Sequence, residues 1–187
     1  ARELLTAEEQ TDEIINIFKL IEDKIFVMLE GNHEWKIMNE HRFKKDFCRP
    51  LDAKYGGKIC YISLSFKYKG KEVNQFLIHA KHAGFSGAKA GGALNNMEDA
   101  GADWEYDVQL MGHNHGTFVS TSQRIGYDRK HNGLIEKKQI HGNTGTFLRS
   151  YKEGTSNYIE QRPSKAKRVG TIAITLDPLN NEMFGHD

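Results

Sequence analysis

The sequence predicts a mixed α/β fold, two layers of sheet with helices outside, and three observations carry that prediction. An apolar stripe at helical spacing opens the chain, short apolar or alternating runs of strand length follow, and segments bearing histidine and glycine sit where strands stop. The ends of strands are the usual place for a site in such sheets.

Thr6 with Glu9 three residues on is a capping-box signature, and Ile14, Ile15, Phe18 and Ile21 then share one helical face, so residues 7–21 are expected to be helical. Residues 24–30 form a short, nearly continuous apolar run that stops at Gly31-Asn32, as expected of a strand buried on both faces. Over residues 59–68 alternation places Ile62, Leu64, Phe66 and Tyr68 on one face and Ser63, Ser65 and Lys67 on the other. Lys69-Gly70-Lys71 turns the chain, residues 73–80 run back as the partner strand, and His82 emerges at its end. Gly84, Gly87, Gly91 and Gly92 predict a loop, residues 93–100 a short helix, and residues 107–111 a brief strand that delivers Gly112-His113-Asn114-His115. The remainder reads as β, over residues 117–123, 134–141, 144–148 and 169–176, with no internal repeat or low-complexity tract.

At 187 residues the chain fits one domain, which by size scaling buries about 70 % of its unfolded surface. Hydrophobic content of 38 %, charged content of 27 % and aromatic content of 10 % are those of a chain that folds. A net charge of +1 gives no global signal for nucleic acid or for a membrane surface. The one dense basic run, Arg162-Pro163-Ser164-Lys165-Ala166-Lys167-Arg168, reads as a solvated loop. Cys48 and Cys60 are too few for a disulfide framework and lack zinc-site spacing, so buried free thiols in a reducing compartment are expected. With no apolar segment of membrane-spanning length and no signal peptide, a soluble cytoplasmic location is the expectation.

Four of the nine histidines, His33, His82, His113 and His115, fall in predicted strand-exit segments with glycine nearby. Imidazole suits zinc, iron and manganese-class ions, and glycine lets the backbone turn sharply enough to aim each ring inward, so the set points to a metal site rather than to scattered loop histidines. His113 and His115 are one residue apart, and on an extended segment both project to the same side, to share one ion or to reach two. The side-chain oxygen of Asn32 can coordinate an ion where a carboxylate would overcharge the site, and His33 beside it points elsewhere, toward substrate. By themselves Asn32 and His33 read equally well as turn residues.

Taken in order, these residues resemble the calcineurin-like metallophosphoesterases, among them serine/threonine protein phosphatases, phosphodiesterases and repair nucleases. Gly31-Asn32-His33-Glu34 is similar to that family's Gly-Asn-His-Asp/Glu block, and Gly112-His113-Asn114-His115 to its closing Gly-His-x-His block. Between them His82-Ala83-Gly84-Phe85-Ser86 fits the family's single histidine after a strand better than His79, and Asn143-Thr144-Gly145-Thr146-Phe147-Leu148-Arg149 resembles the segment that follows in bacterial and phage members. The resemblance implies a four-layer α/β/β/α fold. It also implies two divalent ions, manganese foremost, or iron or zinc, with Asn32, His82 and His113 on the second ion and His115 on the first. A hydroxide between the ions would attack phosphorus in line, and His33 would stabilise the transition state and protonate the leaving oxygen. Lys36 lies where some members carry a phosphate-contacting arginine.

The family's opening Asp-x-His and Gly-Asp-x-x-Asp motifs, which supply most ligands of the first ion, do not occur here; Asp99, Asp103 and Asp107 come too late and lack the pattern. Residues 1–187 are therefore expected to be the C-terminal portion of the full domain, without its strand-helix-strand opening unit and with little hydrolysis as an isolated polypeptide. A first half on a separate chain, or a non-catalytic metal- or partner-binding module with half of the dinuclear site, are the other readings. The expected partner is a phosphoester, and near-neutral charge favours a phosphatase or general phosphoesterase over a nuclease.

Overall fold

In the computed structural model the described residues are 5–82, 90–149 and 168–187. The chain forms two compact units, Ala1–Cys60 and Tyr61–Asp187. No helix among the described residues is long and apolar enough to cross a membrane.

The first unit begins with α1 (Ala7–Phe18), started by the predicted capping box. Glu9 N–H donates to Thr6 Oγ1 at 3.2 Å and Thr6 N–H donates to Glu9 Oε2 at 2.7 Å; that second bond, with the Thr6 hydroxyl beside it, holds the Glu9 carboxyl below its ordinary pKa. The face turned inward is the predicted one only in part. Thr11, Ile15 and Phe18 are half-buried at helical spacing, while Ile14 and Ile21 stay 42 % and 46 % exposed. Ile21 falls off the helix because the chain tightens into the 3-10 turn Lys19–Lys24, where its φ of −135° breaks the period. The apolar run at 24–30 yields only a two-residue strand, β1 (Val27–Met28), parallel to β2 (Lys54–Tyr55). A sheet of two short strands cannot cover both faces, and Phe26 remains exposed, so the strand buried on both sides is not found.

Two short helices follow, α2 (Asn32–Ile37) and α3 (Glu40–Phe43), the latter capped by Asn39 Oδ1 accepting from Arg42 N–H at 2.9 Å. A wide turn, Lys44–Cys48, and a 3-10 turn, Arg49–Leu51, lead to Asp52 at φ 47°. Phe43, Cys48 and Leu51 are the buried apolar residues of this unit, with the Phe43 ring 5.1 Å from Phe47 and 5.8 Å from Tyr55 between centroids. Cys48 is a buried free thiol as expected, its pKa raised by burial, and Cys60 is a half-buried one.

The second unit is built on a five-stranded mixed sheet of order β3-β4-β5-β7-β6. Its strands are β3 (Ile59–Tyr68), β4 (Lys71–His82), β5 (Val108–Gly112), β6 (Thr117–Asp128) and β7 (Gly133–Thr144). Lys69 and Gly70 join β3 to β4, both at positive φ (50° and 79°), as the right-handed twist of paired strands requires of a two-residue loop. α4 (Ala90–Gly101) lies between β4 and β5 in sequence and takes in Gly91 and Gly92, which the sequence reading placed in a loop. β4, β5 and β7 are mutually parallel, so their C-terminal ends share one edge of the sheet; β6 pairs antiparallel with β7 over its whole length. One face of the sheet packs Phe76, Val108 and Ile140 against Met183, Ile174 and Leu176 of a two-stranded sheet formed by β8 (Ala173–Asp177) and β9 (Glu182–His186). On the other face Met111 packs against Met97 of α4.

The predicted strand at 144–148 is replaced by one isolated bridge, Thr146 to Gly170. Residues 83–86 of the predicted histidine motif and most of the basic run, 162–167, lie outside the described residues.

Candidate functional site

The predicted residues divide between the units, Asn32 and His33 in the first, His82, His113 and His115 in the second. In the first unit Gly31 caps α2, so Asn32 opens the helix half-buried and His33 follows exposed to solvent. The run into this corner is anchored by Glu30, which is 3 % exposed and accepts a 2.9 Å hydrogen bond from the Tyr55 hydroxyl through Oε2. Burial and the adjacent Glu30 carboxylate push the Tyr55 pKa up to about 12, so the phenol keeps its proton and remains a donor. The other carboxylate oxygen, Oε1, is buried with no partner among the described residues. Glu30 is not among the predicted site residues, although a carboxylate closing an apolar run is a signal the sequence carries.

In the second unit His82 is the last residue of β4, and the register sets it beside Gly112, the last residue of β5. A Cβ on Gly112 would lie 3.4 Å from His82 Nδ1, so the imidazole sits against this glycine. The chain then turns, and His113 Nδ1 comes to 3.2 Å from His82 Nε2, the two rings nearly perpendicular at 82°. His113 and His115 occupy the left-handed region at φ 85° and 58°, so the segment is not extended, and the expectation that alternation aligns their side chains does not hold. Outside glycine that region costs about 1–3 kcal/mol per residue, and two instances within three residues mark a loop held by its surroundings.

Nitrogens sharing a tetrahedral ion at about 2.0–2.1 Å are themselves about 3.3 Å apart. The His82 and His113 pair, at 3.2 Å, has the spacing of one edge of such a site. Among the described residues no cluster of three or more His, Cys, Asp or Glu is arranged for a metal, so His115 does not complete a histidine trio there.

Behind this edge the sheet carries a row of buried polar residues that the sequence reading missed. His79, Gln109 and His141 are cross-strand neighbours on β4, β5 and β7, each at most 2 % exposed. Asn143, next on the same face of β7, is equally buried, and its amide atoms and both His79 ring nitrogens lack hydrogen-bond partners among the described residues. The His79 ring stacks on Trp104 at 5.1 Å and 14°.

Burial, reinforced by the Lys81 ammonium, holds the His79 pKa below its ordinary 6.5; burial does the same to His141 against the opposing pull of Glu98. Each imidazole therefore protonates at a lower pH in the folded chain than in the unfolded one. Their contribution to stability is therefore full above about pH 6.5 and is lost as pH falls toward the folded values. Two such groups steepen the loss by at most about 2.7 kcal/mol per pH unit. Urea melts between pH 7.5 and 5.5 should show a falling midpoint, with a shallower fall in His79→Phe, which also removes two buried unpartnered nitrogens and should melt later at pH 7.5. Equal pH slopes in the two proteins would refute the assignment.

No protein-family model, no curated protein and no solved structure matches this chain.

Proposed function

We propose that this chain carries the second-metal half of a two-metal phosphoesterase of the calcineurin-like kind, whose full α/β/β/α layering and first-metal carboxylates extend beyond the motifs present in these 187 residues. The observation that carries the reading is the His82 and His113 pair, with nitrogens 3.2 Å apart at the adjoining C-terminal ends of parallel strands. The order of the three motifs along the chain supports it independently.

In this reading His82 and His113 would hold one divalent ion and His115 would reach the other, and the motif resemblance alone adds Asn32 to the first set. Bound ions of this class activate water as a nucleophile and neutralise charge on the phosphoryl oxygens. His33, solvent-facing on α2, hydrogen-bonds a phosphoryl oxygen as negative charge builds and passes its proton to the leaving oxygen. Lys36, exposed on the same short helix, reads as a surface lysine. The substrate is a phosphoester; a net charge of +1 favours a small or protein-borne phosphate over a nucleic acid.

Calorimetry with manganese and then with inorganic phosphate tests the proposal. The chain should bind manganese, bind phosphate only when manganese is present, and lose both on His82→Ala. Manganese affinity unchanged by His82→Ala would sink it. Ion binding without phosphate binding would favour a metal-binding module instead.

A further inference from the structure

Ser122, His141 and Gln109 stand on neighbouring strands and face one side of the sheet. β6 pairs with β7 so that Ser122 is opposite Gln139, one pleat from His141, while β7 sets His141 directly beside Gln109 on β5. Ser122 Oγ lies 2.9 Å from His141 Nε2, and His141 Nδ1 lies 3.1 Å from Gln109 Oε1. An amide oxygen only accepts, so Nδ1 carries the ring proton, Nε2 presents its lone pair, and the Ser122 hydroxyl donates to it. Hydroxyl, base and orienting acceptor in this order, with the base in the tautomer that can take the hydroxyl proton, is the arrangement of a nucleophilic serine on any fold.

The surroundings suit that role. His141 is 2 % exposed and fixed from both sides, whereas Ser122 is only half-buried. Both line a cavity of about 230 Å³ with Glu98, Tyr106, Arg124 and Gln139. Burial disfavours the protonated form of His141, and the Glu98 carboxylate favours the imidazolium once it forms. Arg124, two residues beyond Ser122 on the same face, donates to Trp104 O at 3.4 Å and brings a guanidinium to the cavity wall.

We propose that Ser122 is a metal-independent nucleophile that accepts the acyl group of a small carboxylic ester, with His141 as its base, Gln109 as the group that orients His141, and Arg124 facing the carbonyl oxygen. Ser122 Oγ bonds to the carbonyl carbon as its proton passes to His141 Nε2. The ester C–O bond breaks and the alcohol leaves with that proton. Water, deprotonated by the same nitrogen, then bonds to the acyl carbon; the bond from that carbon to Ser122 Oγ breaks, His141 returns the proton to Oγ, and the acid leaves.

A fluorophosphonate probe tests this on the intact chain, followed by whole-protein mass and peptide mapping in the presence of a chelator. The folded protein should gain one adduct, mapped to Ser122, that urea-unfolded protein does not gain. Ser122→Ala should gain none, and His141→Gln, folded by circular dichroism, should label about 100-fold more slowly, the usual weight of a general base. No adduct on the folded wild-type protein, an adduct at another residue, or equal labelling of folded and unfolded protein would overturn the proposal.

Discussion

Replacing His113 by glycine should weaken manganese binding at least about 100-fold, yet leave the ion-free protein more stable than replacement by alanine. Loss of an outer-shell partner already costs metal sites 10–100-fold, and the proposed function makes His113 a direct ligand, so on that proposal deleting its ring costs at least about as much. The stability difference has a separate origin. At φ 85° a side chain of any kind is strained, and alanine keeps that strain while glycine removes it. Both variants lose the 3.2 Å contact with His82, so this loss cancels between them. The glycine variant is expected to be the more stable by about 1 kcal/mol, the reverse of the order at an ordinary helix or strand position. Manganese titration and urea melts of the two proteins read the two effects separately. If alanine proves the more stable, the loop is not held in the left-handed region; if either variant keeps its affinity, His113 is not a ligand.

Gly145→Ala should destabilise the second unit by about 3 kcal/mol or more. Gly145 follows β7 at φ 81°, where alanine pays for a left-handed conformation before any contact is considered. Its Cβ would then stand 2.4 Å from the backbone oxygen of Gly170 and 2.5 Å from Thr117 Cγ2. The first contact is with backbone and cannot be relieved by a rotamer change. Gly170 is moreover half of the only isolated bridge among the described residues, Thr146 N–H to Gly170 O at 3.1 Å and Gly170 N–H to Thr146 O at 2.9 Å. Alanine at 145 must push this bridge apart or distort the start of β6. A thermal melt should fall by well over 5 °C for a domain of this size, taking about 2–4 °C per kcal/mol. A shift under 2 °C would mean that the segment around Gly170 yields freely.

What the sequence made legible follows from how local each signal is. The capping box at Thr6 and Glu9 is complete within four residues, and it forms as expected. The alternation from Ile59 to Tyr68 reflects one face of one strand against one core, and the strand has the predicted bounds. The three motifs were legible as motifs because residue type and order alone define them. The conformation of the last one was not. Left-handed backbone at His113 and His115 comes from the loop's having to turn from β5 toward β6, a demand that neither residue type announces. β9 escaped notice because Glu182–His186 is polar apart from Met183 and Phe184, and only pairing with β8 makes it a strand. The row of His79, Gln109, His141 and Asn143 was likewise hidden. Each looks like an ordinary polar residue on its own strand, and they become neighbours only through cross-strand register.

That register also sets where the chain tolerates change in length. Along β7, Gln139, His141 and Asn143 face one side while Ile140 and Gly142 face the other, against Leu110 and Ile172. Inserting one residue between Leu134 and Gln139 would exchange the two sets, sending an imidazole and two amides into the apolar layer and Ile140 out of it. The same insertion in the turn between Asp128 and Gly133 shifts nothing, because both strands keep their pairing. Length variation in this hairpin should therefore gather at its tip, and the strand that leads back to the histidine edge should behave as a fixed-length spacer.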